Sequence, residues 1–330
     1  MKERDCTFDI MKGIAMVLVI MSHTPPWAYP SFAYWRSALF FIISGYFAKE
    51  WTVGNFLQKG AKRIFIPYVV TCLFMIPFVL LGEKVFDADA ISIAVKSMAL
   101  GAASFGYADK YRDICIGPLW FLWALIWVRI LWAFVQKIKN EFIRGMIVVL
   151  WGITAYKLRE YTINPWSIFS AFGALGFFYC GYLIRFYNLL NSVYGKRIAP
   201  FAVVCLVYCI CFSKMDINTC MYESGYIVEL VGSIGAFMLL YASVRYFYDC
   251  STCFWNFLNF FGRYSLVAFC FHSVDFCLCS CWFPFKFWDL FATNFELCCA
   301  IVLRVGIAAL GCYLVSKNKF LKEKIFFIKE

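Results

Sequence analysis

Charged side chains are scarce in this sequence. Asp, Glu, Lys and Arg make up 15% of its 330 residues, and histidine occurs twice, as His23 and His272. Hydrophobic residues account for 63% of the chain, and the mean hydropathy is +0.72. This shortage of charge excludes an ordinary soluble domain and is typical of an integral membrane protein.

Several other features are missing as well. The sequence contains no internal repeat of useful strength and no low-complexity segment. Its first apolar stretch is followed by MSHTPPW rather than by a small-residue cleavage site, which indicates a retained helix and not a cleaved secretory signal. We therefore expect a single transmembrane domain over residues 1–330.

Apolar runs recur along the whole chain. A helix that rises 1.5 Å per residue needs about 20 apolar residues to cross a hydrocarbon layer of about 30 Å. The pattern predicts an all-α integral membrane protein, a bundle of about ten transmembrane helices. The runs are residues 9–28, 33–48, 64–82, 116–135, 143–157, 165–185, 198–213, 226–247, 255–280 and 296–316.

Positive charge is in excess, with a formal net charge of +11. Such a charge would suit a nucleic-acid partner, but most Lys and Arg residues fall in alternate loops, as cytoplasmic loops of membrane proteins require. This distribution predicts that the N- and C-termini are both cytoplasmic. We expect the partner of the basic excess to be the lipid bilayer, and we expect no nucleic acid.

The longest polar interruption covers residues 83–115 and contains Lys96. We interpret it as an outer-face helix or a re-entrant piece and not as a span. Cys115, in this segment, and Cys220 are both expected on the outer side, and their pairing is left open.

Seventeen cysteines are present, most of them inside the apolar runs. The spaced series Cys277, Cys279 and Cys281 raises the question of a metal site, because thiolates bind zinc. Alternate residues of a helix point about 200° apart, however, so the three side chains do not converge. We expect no metal.

The first run has polar residues at both ends. Lys12 and His23 are 11 positions apart, which places them within about 20° of the same helix face and about 16 Å apart along the axis. Asp9 can pair with Lys12 across three positions. A charge facing lipid costs several kcal/mol, so this stripe should face the bundle interior or a water-filled path. The alternative is that Asp9 and Lys12 are interfacial anchors and His23 caps the helix.

Six fragments follow one another along the chain: FDIMKGIAMVLVIMSH, ALFFIISGYFAKE, KRIFIPYVV, GPLWFLWALIW, GYLIRF and FGRYSLVAFCFH. Together they resemble the acyltransferase 3 family of membrane acyltransferases, which modify cell-surface polysaccharides and glycolipids. The family's opening helix has a basic residue followed by histidine at the spacing of Lys12 and His23. Two positions depart from the family. Lys12 stands where arginine is frequent, and Arg36 and Ala38 stand where the second helix often has His-x-Pro.

The resemblance implies an O-acetyltransferase, a multi-pass protein of the cell membrane, such as the bacterial inner membrane. It implies no bound cofactor, with acetyl-CoA or another acyl-CoA as co-substrate, and a polysaccharide or glycolipid hydroxyl as acceptor. His23 would then take the acceptor's proton, with Lys12 and Asp9 in the same catalytic stripe. The donor's phosphates are expected at the basic residues before the third run, which are otherwise topology markers: Lys59, Lys62 and Arg63.

The remaining polar candidates each have a structural alternative. Arg36 suits an anionic or sugar acceptor, or extends to the outer interface. Ser44, beside Gly45, favours close helix packing over a role as nucleophile. His272 and Asp275 are spaced to form a hydrogen-bonded pair. The last candidate, an acid inside the hydrocarbon zone, is Glu229, and internal salt bridges to Arg263 or Arg304 are the alternative for these acids.

A transporter or exchanger is the second function class. In that case Lys12, His23, Glu229 and His272, with Asp275, would form an ion or proton path. The lack of paired repeats and of matched broken helices speaks weakly against it.

Overall fold

The computed structural model of this chain is almost entirely helical. It describes residues 5–24, 35–81, 88–101, 116–159, 164–248, 252–282 and 294–328. The strands found in these ranges form one hairpin, in which β1 (Met215–Asp216) pairs antiparallel with β2 (Met221–Tyr222). The all-α class is thereby confirmed.

The principal helices follow the apolar runs. They are α1 (Cys6–Ser22), α2 (Arg36–Tyr46), α3 (Lys62–Leu81), α4 (Ala88–Leu100), α5 (Trp120–Val135), α6 (Glu141–Leu158), α7 (Ile168–Phe186), α8 (Val193–Phe212), α9 (Tyr226–Phe247), α10 (Thr252–Arg263), α11 (Ser265–Trp282) and α12 (Asn294–Lys317). Short helical turns lie at Val53–Asn55, Phe56–Gly60, Gly117–Leu119, Pro165–Ser167 and Leu321–Ile325.

Several helices are long and apolar enough to cross a membrane. The described residues contain five of them, or six if Val53–Gly60 and Lys62–Pro77, which meet at a bend of 45°, form one span. The chain is therefore a multi-pass membrane protein. The other runs are also helical, but their helices are shorter or more polar. The five are Gly117–Val135, Pro165–Phe186, Val193–Phe212, Tyr226–Phe247 and Phe295–Lys317.

One predicted run is divided in two. Residues 255–280 were expected to form a single helix, but the chain turns at Tyr264 between α10 and α11. The two halves pack on different partners, α10 against α1, and α11 against α3 and α12. The expectation of one continuous helix is therefore wrong here.

Two predictions about cysteines lie outside the described residues: the pairing of Cys115, and the orientation of the side chains of Cys277, Cys279 and Cys281. Residues 102–115 of the polar interruption lie outside them as well. The proposed partner Cys220 is buried beside the hairpin, where burial raises the pKa of its thiol. Within the polar interruption the structure places helix α4, with an exposed Lys96.

Helix α1 lies in the middle of the bundle and contacts α2, α9, α10, α11 and α12. Its closest neighbour is α10, and two glycines permit that approach. A Cβ atom at Gly262 would lie 1.6 Å from the carbonyl oxygen of Asp9, and one at Gly13 would lie 2.3 Å from that of Leu258. No larger residue fits without backbone movement, so the glycines set the distance between these helices.

The second helix is held in the same way. A Cβ atom at Gly45 would lie 1.8 Å from the carbonyl oxygen of Phe178 on α7. The packing interpretation of Gly45 is thus confirmed.

The helix contact at Gly262 yields a stability prediction. Gly262→Ala should lower the free energy of unfolding by about 1–3 kcal/mol, because the added methyl overlaps backbone atoms of α1. The matched control is Gly306→Ala on α12, where nothing lies within 4 Å of the added atom. Thermal unfolding in lipid nanodiscs measures both, and equal melting temperatures for the two variants would contradict the prediction.

Candidate functional site

A cavity of about 500 Å³ lies among helices α1, α2, α5 and α11, within the range of small-molecule sites. Aromatic and aliphatic side chains form most of its wall, and none of its described lining residues is acidic. The lining residues are Lys12, Val19, His23, Ser37, Phe40, Ile43, Ser44, Phe47, Trp51, Gly60, Arg63, Ile64, Pro118, Trp120, Phe121, Leu122, Leu125, Arg129, Ser265, Leu266, Phe269 and Phe326.

Helix α1 brings Lys12 and His23 to this cavity together. Asp5 caps the start of the helix, where its carboxylate accepts a hydrogen bond from the Thr7 N–H at 2.9 Å, and His23 is the capping residue at the C-terminal end. Its regular turns place both side chains on the cavity face, as the 11-residue interval predicts. The predicted pair with Asp9 is also confirmed, with Lys12 Nζ donating to Asp9 Oδ1 at 2.7 Å.

Two guanidinium groups line the cavity in addition to Lys12, and we call the part of the wall that they form its cationic end. Arg63 lies at the start of α3 and Arg129 in the second half of α5, and the charge of Arg63 acts on Arg129. The Nε atom of Arg129 is buried without a hydrogen-bond partner among the described residues. Two like charges beside an apolar cavity with no acidic lining residue make this end suited to an anion.

The other predicted donor-binding residues take different positions. Lys59 and Lys62 are exposed and do not line the cavity, whereas Arg63 does. Sequence reasoning missed Arg129. The signal was available, because a lone arginine inside an apolar span is a functional candidate by default.

The two histidines of the chain meet at the other end. His23 Nδ1 lies 3.2 Å from His272 Nε2 and 2.9 Å from the carbonyl oxygen of Val19. His272 Nδ1 lies 3.8 Å from Asp275 Oδ2, an ion-pair separation that is longer than the predicted hydrogen bond. The structure therefore joins α1 and α11 through an imidazole contact that spans 249 residues of sequence.

Arg304 of α12 completes this group. Its Nε donates to Asp275 Oδ2 at 2.6 Å, and its Nη1 donates to the carbonyl oxygen of His23 and, at 3.2 Å, to Thr24 Oγ1. The predicted salt bridge between Arg304 and Asp275 is confirmed.

A model of a protein family matches nearly the whole amino-acid sequence. The model described as an acyltransferase domain, that of the acyltransferase 3 family, matches residues 7–313. The chain belongs to this family. Comparisons with curated proteins and with solved structures find no match. Membership confirms the resemblance carried by the six fragments and identifies a membrane acyltransferase.

Two acceptor-side candidates of this acyltransferase lie near its cavity. Ser44 lines the wall, and its role in helix packing rather than as a nucleophile stays a prediction. Arg36, the first residue of α2, is not a lining residue, but it precedes the lining residue Ser37, and its charge acts on both imidazoles.

Glu229 is not brought to the acyltransferase cavity. It lies in the first turn of α9, where it accepts a hydrogen bond from Ser213 Oγ. It lines a separate small pocket with Trp35 and Cys209. An arginine partner was one of the alternatives for Glu229, and the hydrogen-bond donor found here is Ser213. A proton path from Lys12 through Glu229 is therefore discontinuous among the described residues.

The position of Glu229 yields a second prediction. Glu229→Gln should leave acyl transfer within about twofold of wild type and change the free energy of unfolding by at most about 1 kcal/mol, since an amide can still bond Ser213. Activity and thermal unfolding in nanodiscs measure the two effects. A tenfold loss of activity in folded protein would contradict this prediction and indicate that Glu229 takes part in the reaction.

Proposed function

We propose that this acyltransferase transfers acetyl from cytoplasmic acetyl-CoA to a hydroxyl of a cell-surface polysaccharide or glycolipid. The proposal includes ten membrane crossings, both termini in the cytoplasm and location in the cell membrane, such as the bacterial inner membrane. The observation that carries it is one cavity whose wall holds both His23 and three cations, of which Lys12 lies about 16 Å from His23 along α1.

The cationic end suits the donor's nucleotide. CoA carries several phosphate groups, and guanidinium groups bind phosphate through paired hydrogen bonds. The charges of Arg63 and Arg129 repel one another, and a polyanion bound between them would relieve that repulsion. Lys12 adds a third charge, part of which Asp9 compensates. Lys59 and Lys62, exposed at the same end, supply attraction rather than contact.

The middle of the cavity suits the pantetheine arm. About 16 Å separates residues 12 and 23 along α1, a distance that an extended flexible arm can cover. The wall between them is mostly apolar, with Phe40, Leu125 and Phe269 among its residues. When the nucleotide of acetyl-CoA is bound at the cations, the thioester at the far end of the arm would therefore reach His23.

The chemistry proposed at that end is general-base acyl transfer. His23 removes the proton from the acceptor hydroxyl while that oxygen attacks the thioester carbonyl. The new carbon–oxygen bond forms, the carbon–sulfur bond breaks, and the leaving sulfur takes the proton back from His23 as the CoA thiol. Arg36 lies on the acceptor side and suits a sugar or an anionic group, and Ser44 borders the same space.

The first experiment removes the imidazole. Purified full-length protein in lipid nanodiscs receives acetyl-CoA and a cell-envelope glycan extract, and release of free thiol is followed. Wild-type protein should release thiol and label the glycan, and His23→Ala should lose about 10²–10⁴-fold in rate. If the wild type releases no thiol, or His23→Ala retains full activity, the proposed function fails. Solute uptake that depends on His23 without any acyl donor would identify a transporter instead.

Arg129→Gln tests the donor site. We expect the KM for acetyl-CoA to rise at least about tenfold, since one charge-assisted contact of about 1.5–3 kcal/mol is lost, while the rate at saturation is retained. S-acetylpantetheine, which lacks the nucleotide, should be used equally by wild type and variant.

Stability provides a second readout of the same variant. Because the Nε atom of Arg129 is buried without a hydrogen-bond partner among the described residues, the donor-free melting temperature of Arg129→Gln should equal or exceed that of wild type. Lys139→Gln, an exposed lysine, is the matched control and should change neither quantity. An unchanged KM in Arg129→Gln would exclude Arg129 from the donor site.

A further inference from the structure

The residues behind His23 form a continuous chain across three helices. It runs from His23 on α1 through His272 and Asp275 on α11 to Arg304 on α12. We propose that His272, Asp275 and Arg304 are positioning residues that hold His23 in the tautomer of a general base, and that the Asp275 carboxylate stabilises its protonated form. This inference rests on the proposed function, and it adds to it the device that makes His23 basic at Nε2.

The first step is the assignment of the proton on His23. Nδ1 lies 2.9 Å from the carbonyl oxygen of Val19, and a carbonyl oxygen can only accept. The neutral imidazole therefore carries its proton on Nδ1. Nε2 keeps the lone pair and has no hydrogen-bond partner among the described residues, while the side chain lines the cavity. The free base thus faces the space assigned to the acceptor.

The second step assigns His272. With the proton on His23 Nδ1, His272 Nε2 at 3.2 Å must act as the acceptor, and His272 then carries its own proton on Nδ1. That N–H lies 3.8 Å from Asp275 Oδ2. Hydrogen bonds of catalytic chains are often long without substrate and shorten during reaction. Asp275 can therefore orient His272 as an aspartate orients the histidine of a serine-hydrolase triad.

The third step concerns charge. When His23 takes the acceptor's proton it becomes an imidazolium, with Arg36 and Arg304 acting on both rings. Asp275 is the carboxylate that offsets this positive field, and its effect reaches His23 through His272. The proton later leaves with the CoA thiol. His23, His272 and Asp275 therefore end each catalytic cycle in the protonation states in which they began it.

Arg304 holds the assembly at two points. It donates to Asp275, and it also donates to the carbonyl oxygen of His23 and the Thr24 hydroxyl at the C-terminal end of α1. Carbonyls at the end of a helix lack partners within it and are stabilised by a cation. Arg304 therefore fixes both the carboxylate and the backbone from which His23 projects. Its side chain is 3% exposed, so the contact is shielded from water.

The test compares two small acceptors in full-length protein in lipid nanodiscs. Ethanol and trifluoroethanol have similar sizes, but trifluoroethanol is more acidic and depends less on a general base. We measure thiol release from acetyl-CoA with each alcohol for wild type, His272→Gln, Asp275→Asn and Arg304→Lys. The trifluoroethanol-to-ethanol rate ratio is independent of how much protein is folded.

His272→Gln and Asp275→Asn should lower the rate with ethanol at least about tenfold and raise the ratio at least about fivefold. Arg304→Lys should cause a smaller change in the same direction, because it keeps the charge but loses one of its contacts. The KM for acetyl-CoA should stay within about twofold. The matched control is Ser273→Ala, and its ratio should equal that of wild type. In the part of the chain that the structure describes, the Ser273 hydroxyl bonds its own helix alone, at the Phe269 carbonyl oxygen.

Each outcome has a defined meaning. Equal loss with both alcohols, or no loss, in His272→Gln and Asp275→Asn would overturn the positioning chain while leaving acyl transfer by wild type intact. A wild type that releases no thiol with either alcohol or with the glycan extract would overturn the proposed function itself.

Discussion

The cost of placing charge in hydrocarbon governs this molecule. A chain with so few charged residues keeps several of them inside its bundle, and each has a compensating contact or faces the cavity. Asp9 compensates Lys12, and Asp275 compensates Arg304. Arg129 is of the second kind, since it lines the cavity, and its Nε is buried without a hydrogen-bond partner among the described residues. A polyanion bound as proposed above would supply the compensating charge.

The second constraint is the position of α1. Contacts through glycine hold it against α10, and Arg304 holds its C-terminal end. One helix thus presents a cation and an imidazole to the same cavity, about 16 Å apart along its axis. This spacing suits the long and flexible donor proposed above.

Local chemistry made part of the site predictable. The shared face of Lys12 and His23 follows from helical geometry, and the pair of Asp9 and Lys12 follows from a three-residue interval. Predictions that depended on tertiary packing were less accurate. Lys59 and Lys62 have the right charge but are exposed and do not line the cavity, and Glu229 has a serine partner elsewhere. Nothing in a local pattern states which face of a neighbouring helix is turned inwards.

The sequence by itself determined the membrane class, the helical runs, the family and the stripe on α1, because each depends on composition or on residues close along the chain. Only the tertiary structure decided that His23 meets His272, that Arg304 binds both Asp275 and the end of α1, and that Arg129 and Arg63 line the same cavity. These contacts join residues up to 281 positions apart. The geometry of these contacts is set by how the helices pack against one another. The residue pattern within a single helix does not specify that packing.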